Sequence, residues 1–93
     1  MLRIDIPSDG PSGLDFTKLE QLNLPAPVNG FDQEINNDVI LSFEDEQEAI
    51  DYAYELNMHL QSINDHNSAE YKATTAILRA ISDDKFVQSY RKY

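Results

Sequence analysis

The 93-residue chain has no cysteine and no tryptophan. Without thiols it can hold no disulfide scaffold, thiolate zinc site, iron–sulfur cluster or cysteine nucleophile. Lys and Arg together number seven against 17 Asp and Glu, a net charge of −10. A direct nucleic-acid binder needs a cationic footprint, so this balance argues against one. No apolar run approaches the ~18 residues of a membrane span, and Met1–Gly10 lacks the apolar stretch of a signal peptide. These absences predict a cytoplasmic protein that has no membrane partner.

The few bases are also unevenly placed. None lies between Lys18 and Lys72, whereas residues 19–71 hold twelve acids. Residues 72–93 reverse the balance, with five bases against two acids. Surfaces normally mix the two signs, so a long basic-free block projects a negative field from some face.

What is present suffices for one core. Apolar residues make up 41% of the chain, with four Phe and five Tyr. Surface scaling at this mass predicts that roughly 64% of the unfolded surface is buried on folding. That supports a single domain over residues 1–93 without staples.

Period-two alternation of Leu2, Ile4 and Ile6 with Arg3 and Asp5 predicts a strand over 1–6. The cluster PSDGPSG ends it. Residues 7–30 read as loop-rich, with a short helix near Phe16–Leu22 capped by Thr17 and Glu20, or an ordered loop pinned by its leucines. Residues 31–35 and 38–43 read as a hairpin turning at Asn36-Asn37, because Asn tolerates positive φ. The run Val39-Ile40-Leu41 marks a central strand.

Asp45 followed by Glu48 forms a capping box that opens a helix over 45–63. Its stripe of Ala49, Ile50, Ala53, Leu56, Leu60 and Ile63 is expected to face the core. Ser68 caps a second helix over 68–82, striped by Ala73, Ala76, Ile77, Ala80 and Ile81. A short helix over 84–92 offers Phe86, Val87 and Tyr90 for docking onto the body. Strands first and helices later predict an α+β fold, with about three strands and helices on one sheet face.

Catalytic constellations are weak. His59 and His66 are the only histidines, and no Ser lies in a GxSxG context. Asp51, Glu55 and His59 share a helix face, but positions eight apart are separated by about 12 Å of rise and cannot close around one ion. The carboxylates of 44–48 are accounted for as a helix N-terminus. The sequence therefore predicts no enzyme, no metal site and no cofactor.

The remaining signal is the acidic block. Glu44, Glu46, Glu48, Asp51 and Glu55, with Tyr52 and Tyr54 as aromatic anchors, have the composition of a protein-binding patch. Asp32, Glu34 and Asp38 extend it from the hairpin. The expected partner is a protein with a basic surface. One version is an inhibitor whose carboxylates occupy a nucleic-acid site in place of phosphates. Phage-encoded anti-defence proteins and bacterial immunity proteins are often this small and this acidic, an analogy of size and charge alone. Two other readings stand beside it: an accessory or structural protein whose acidity serves only solubility, and a weak metal- or small-ligand-binding protein centred on Glu55 and His59.

Overall fold

The computed structural model describes residues 1–10 and 12–91, the side chain of Arg91 excepted. Pro11 of the first turn cluster, and Lys92 of the expected terminal helix, lie outside the described residues. The fold is α+β. Three antiparallel strands, β1 (Leu2–Ile6), β2 (Phe31–Gln33) and β3 (Val39–Phe43), form a sheet in the order β1-β3-β2.

Alternation fixes which face is buried. Leu2, Ile4 and Ile6 pair with Phe43, Leu41 and Val39, and all six are buried. Arg3 and Asp5 point to the other face, opposite Ser42 and Ile40. β3 is the central strand, as its apolar run implies. β2 ends at Gln33, two residues earlier than expected, because Glu34–Asn37 close a turn. Asn37 N donates to Glu34 O at 2.9 Å, and Asn37 adopts φ 64°. A turn followed by a left-handed residue is a common three-residue hairpin loop, and Asn is suited to its last position.

The first helix, α1 (Phe16–Glu20), is capped by Asp15 rather than by Thr17. The Asp15 carboxylate accepts from both Lys18 N and the Thr17 hydroxyl, so the cap lies two residues earlier than expected. Together with the local charge of Lys18, these bonds hold the Asp15 carboxyl below its usual range, the Thr17 bond being the largest cause.

α2 (Glu46–Gln61) begins at the predicted cap, with the Asp45 side chain accepting from Glu48 N at 2.9 Å, but the reciprocal half of the expected box is missing, since Glu48 Oε1 has no donor among the described residues. Its last expected residues, Ser62 and Ile63, form tightened turns back to His59 and Leu60. Ala49 and Leu56 are fully buried, and Ile50 and Ala53 pack against the core. α3 (Ala69–Asp83) is capped by Ser68, whose Oγ accepts from Tyr71 N at 3.1 Å. It buries Ala73, Ile77 and Ile81. It also buries Thr74, whose hydroxyl donates to Glu70 O at 2.7 Å and so leaves no unpaired group. In α4 (Lys85–Arg91) the Asp84 carboxylate accepts from Phe86 N and Val87 N.

α3 packs beside α2 and over β1, while Tyr52 of α2 reaches Phe43 on β3 and Phe31 on β2. The helices thus cover one sheet face. No helix among the described residues is long and apolar enough to cross a membrane.

Candidate functional site

The packing of α2 decides what it shows to solvent. With Ala49, Tyr52 and Leu56 turned inward, the opposite side carries Gln47, Asp51, Tyr54, Glu55 and Met58, all exposed. Tyr54 leaves 65% of its surface in water and Met58 leaves 73%. They stand four residues apart and so lie side by side on the helix. Asp51 and Glu55, also four apart, run alongside them. No Lys or Arg occurs on α2.

Asp51 is held in place by a relay from α4. Tyr90 Oη donates to Gln47 Oε1 at 2.9 Å, and Gln47 Nε2 donates to Asp51 Oδ1 at 2.9 Å. Around the side of α2, Glu48, Asp51 and Glu55 line a crevice of about 230 Å³ whose apolar walls are Pro27, Val28, Phe43 and Tyr52. Glu48 Oε1 is shielded from solvent without a hydrogen-bond donor among the described residues. Carboxylates facing an apolar wall suit a Lys or Arg side chain: the alkyl stem lies on the wall and the charged head meets the acids.

Tyr52 walls this crevice but does not stand out on the face of α2. It is only 4% exposed. Its ring centroid lies 5.9 Å from that of Phe43 and 6.5 Å from that of Phe31, and its hydroxyl donates to Pro25 O at 2.8 Å. Burial, with a smaller contribution from the charge of Glu55, pushes the phenol well above its ordinary value. The reason is helical geometry. Position 52 lies between 49 and 56 on the inward stripe, and Tyr54 is turned about 200° from it. The bond to Pro25 gives Tyr52 a structural task, since it pins the irregular segment 21–30 over the end of the core.

Glu44 and Glu46 sit apart from the outward face of α2. They border a separate hollow of about 440 Å³ with Met1, Arg3, Asp45 and Phe86. The structure therefore brings Glu48, Asp51 and Glu55 together about the crevice, sets Tyr54 beside Asp51 and Glu55 on the outward face and Glu44 and Glu46 to one end, and buries Tyr52 so that it serves only as a wall of the crevice.

Three exposed side chains went unread in the sequence as surface groups: Met58, Phe86 and Tyr90. Met58 follows Tyr54 by four residues, a spacing that would have placed it on the same face. Phe86 and Tyr90 were expected to dock α4 onto the body. Only Val87 is buried, while Phe86 is 54% and Tyr90 44% exposed.

His59 has its partner on the neighbouring helix, and that partner is not Glu55. Its Nε2 lies 2.7 Å from Glu70 Oε1 on α3, which ties the two long helices together. His66 stacks on Tyr71 with centroids 4.5 Å apart. Among the described residues no group of three or more His, Asp or Glu is placed to hold a metal ion. The chain matches no family model, no curated protein and no solved structure.

Proposed function

We propose that the protein is a binding module for a protein with a basic surface, and that the outward face of α2 makes the contact. One observation carries this reading: Tyr54 and Met58 stand exposed beside Asp51 and Glu55 on a helix without a single cation. Tyr supplies a rigid amphipathic anchor, and Met is a thioether that adapts to irregular surfaces. The carboxylates add long-range attraction to Arg- and Lys-rich surfaces and penalise acidic ones. In the inhibitor version of this reading, the acids take the positions that phosphates would occupy on the partner. The protein itself then makes no direct contact with DNA or RNA.

The test is affinity capture from the source cell with the wild-type chain and with a variant carrying Glu44→Lys, Glu48→Lys, Asp51→Lys and Glu55→Lys. These changes spare the Asp45 cap. The wild type should retain a protein with an Arg- and Lys-rich surface at low salt and release it as salt rises. The variant should retain none of it while melting at nearly the same temperature. If nucleic acid competes with the wild-type chain for the captured protein, the inhibitor version is supported. Full activity of the quadruple variant in the source cell would instead favour the solubility reading.

A further inference from the structure

Three of the five described cations of this acidic chain fall in one region, while Lys85 of α4 lies over the Phe86 ring, its Nζ 5.2 Å from the centroid. Arg3 is engaged on the open face of the sheet, but Lys18, Lys72 and Arg79 gather about two adjoining hollows. The first, about 360 Å³, lies between the 12–14 segment, α1 and α3, with Lys18 and Lys72 at its rim. The second, about 260 Å³, has Lys72 and Arg79 at its rim. Ser12 and Lys72 line both, so the two form one trough. Among the described residues, none of the three cations makes an ion pair, although the chain carries 17 acids.

The trough combines two chemistries. Leu14, Leu22, Ala69 and Ala73 line the first hollow with apolar surface. The cationic heads stand at the edge. Lys18 is folded back so that its Nζ donates to Gly13 O at 2.9 Å, which holds the ammonium beside the hollow with further protons to donate. Ser12 Oγ accepts from Leu14 N, which leaves its hydroxyl proton free for a ligand. The first hollow alone falls within the roughly 300–1,000 Å³ of small-molecule clefts.

We infer that this trough binds a small phosphate ester with an apolar body, the body lying on Leu14, Leu22 and Ala73 and the phosphate at Lys72, which lines both hollows, with Lys18 in the one and Arg79 in the other. A doubly charged phosphate matches cations lining adjoining hollows better than a single carboxylate does. Three cations are too few for tight binding to a nucleic-acid backbone, where each neutralised phosphate contributes a salt dependence of about −0.9 in log–log slope. The inference is independent of the α2 interaction face and stands or falls separately from it.

The experiment is a titration of the full chain, followed by its backbone amide NMR signals, with phenyl phosphate as the probe. Inorganic phosphate, benzoate and sodium chloride at matched ionic strength serve as comparisons. Phenyl phosphate should give saturable shifts at Ser12, Gly13, Leu22, Lys72 and Ala73. Inorganic phosphate and benzoate should each bind there at least about tenfold more weakly, each lacking one half of the recognition. The double variant Lys72→Gln, Arg79→Gln, at two exposed positions, should keep the native spectrum and lose the saturable response. The inference is overturned if phenyl phosphate gives no saturable shift, if sodium chloride reproduces the shifts, or if the double variant responds like the wild type. Equal binding of inorganic and phenyl phosphate would overturn the apolar half of the site.

Discussion

Arg3 on β1 donates from Nη2 to Glu34 Oε1 at 2.5 Å, from one edge of the sheet to the far end of the hairpin on the other. Its Nε also donates to Asp5 Oδ1 at 2.8 Å. Ile40 of the central strand is on the face without helices, yet it is only 5% exposed. By register, the span of the arginine to Glu34 lies across Ile40, which the neighbouring Asp5 and Asp32 also flank. Bonds to Asp5 and Glu34 raise its already high pKa, but an arginine is charged at every relevant pH.

The first prediction separates stem from charge. The two ion pairs are about half exposed, so screening leaves them little net worth. The alkyl stem over Ile40 should matter more. Arg3→Ala should lower the melting temperature, Arg3→Met should recover most of the loss, and added salt should barely affect the wild type. Equal destabilisation by Ala and Met would show that the charge, not the stem, stabilises the sheet.

Leu56 is fully buried at the centre of the α2 stripe. Leu56→Ala should cost about 2–5 kcal/mol in denaturant unfolding, the usual range for a buried leucine. Leu60, on the same expected stripe but only half-buried, should cost distinctly less. A loss below about 0.5 kcal/mol at Leu56 would contradict its placement, since only surface substitutions fall in that range.

Why some of this was legible before the structure, and some not, follows from the range of the interactions. Asp45 and Ser68 bond backbone amides three residues on, so their caps and both long helices could be read locally. Leu2, Ile4 and Ile6 declared β1 through alternation alone. The inward turn of Tyr52 is not legible locally because its partners, Pro25, Phe31 and Phe43, lie between 9 and 27 residues away, and nothing nearby says which of two tyrosines turns inward. The wheel of Ala49 and Leu56 held that information, but the wide stripe through Ile50 and Ala53 blurred its centre. Asp15 caps α1 in place of Thr17 because both are good N-cap residue types, and the folded backbone, not the Glu20 spacing, chooses between them. The trough around Lys72 was illegible for the same reason, since Ser12 meets Lys72 only through the fold.

Tyr52 also predicts a pH dependence. Its phenol is raised in the folded state, so the native protein holds that proton more tightly than the unfolded chain does. The associated stability is fully present below the unfolded value of about 10 and is lost as pH rises beyond it. Tyr52→Phe should remove this alkaline loss and, at neutral pH, cost about 0.5–1.5 kcal/mol for the bond to Pro25 O. Urea midpoints of both proteins at neutral pH and above pH ~10 test this. A wild-type midpoint that falls no faster than the variant's would contradict it. Amides of residues 22–28 should exchange faster in the variant, because the bond that pins them is gone.

The interaction face makes a kinetic prediction that separates its two components. Asp51 and Glu55 are exposed charges, so their effect extends only over the screening length, about 8 Å at physiological ionic strength. They act mainly while the partner approaches. Reversing both should slow association with the captured basic partner, flatten the dependence of that rate on salt, and leave dissociation nearly unchanged. Tyr54 and Met58 act only once surfaces touch. Tyr54→Ala should therefore speed dissociation and leave association and its salt dependence almost unaltered. Gln47→Ala should fall between the two. It frees Asp51 from the relay that begins at Tyr90, so the carboxylate must be ordered on binding. Surface plasmon resonance at two salt concentrations distinguishes all three variants. If Tyr54→Ala leaves dissociation untouched while Phe86→Ala speeds it, the contact lies at the start of α2, around Glu44, Glu46 and Phe86, and not on its outward face.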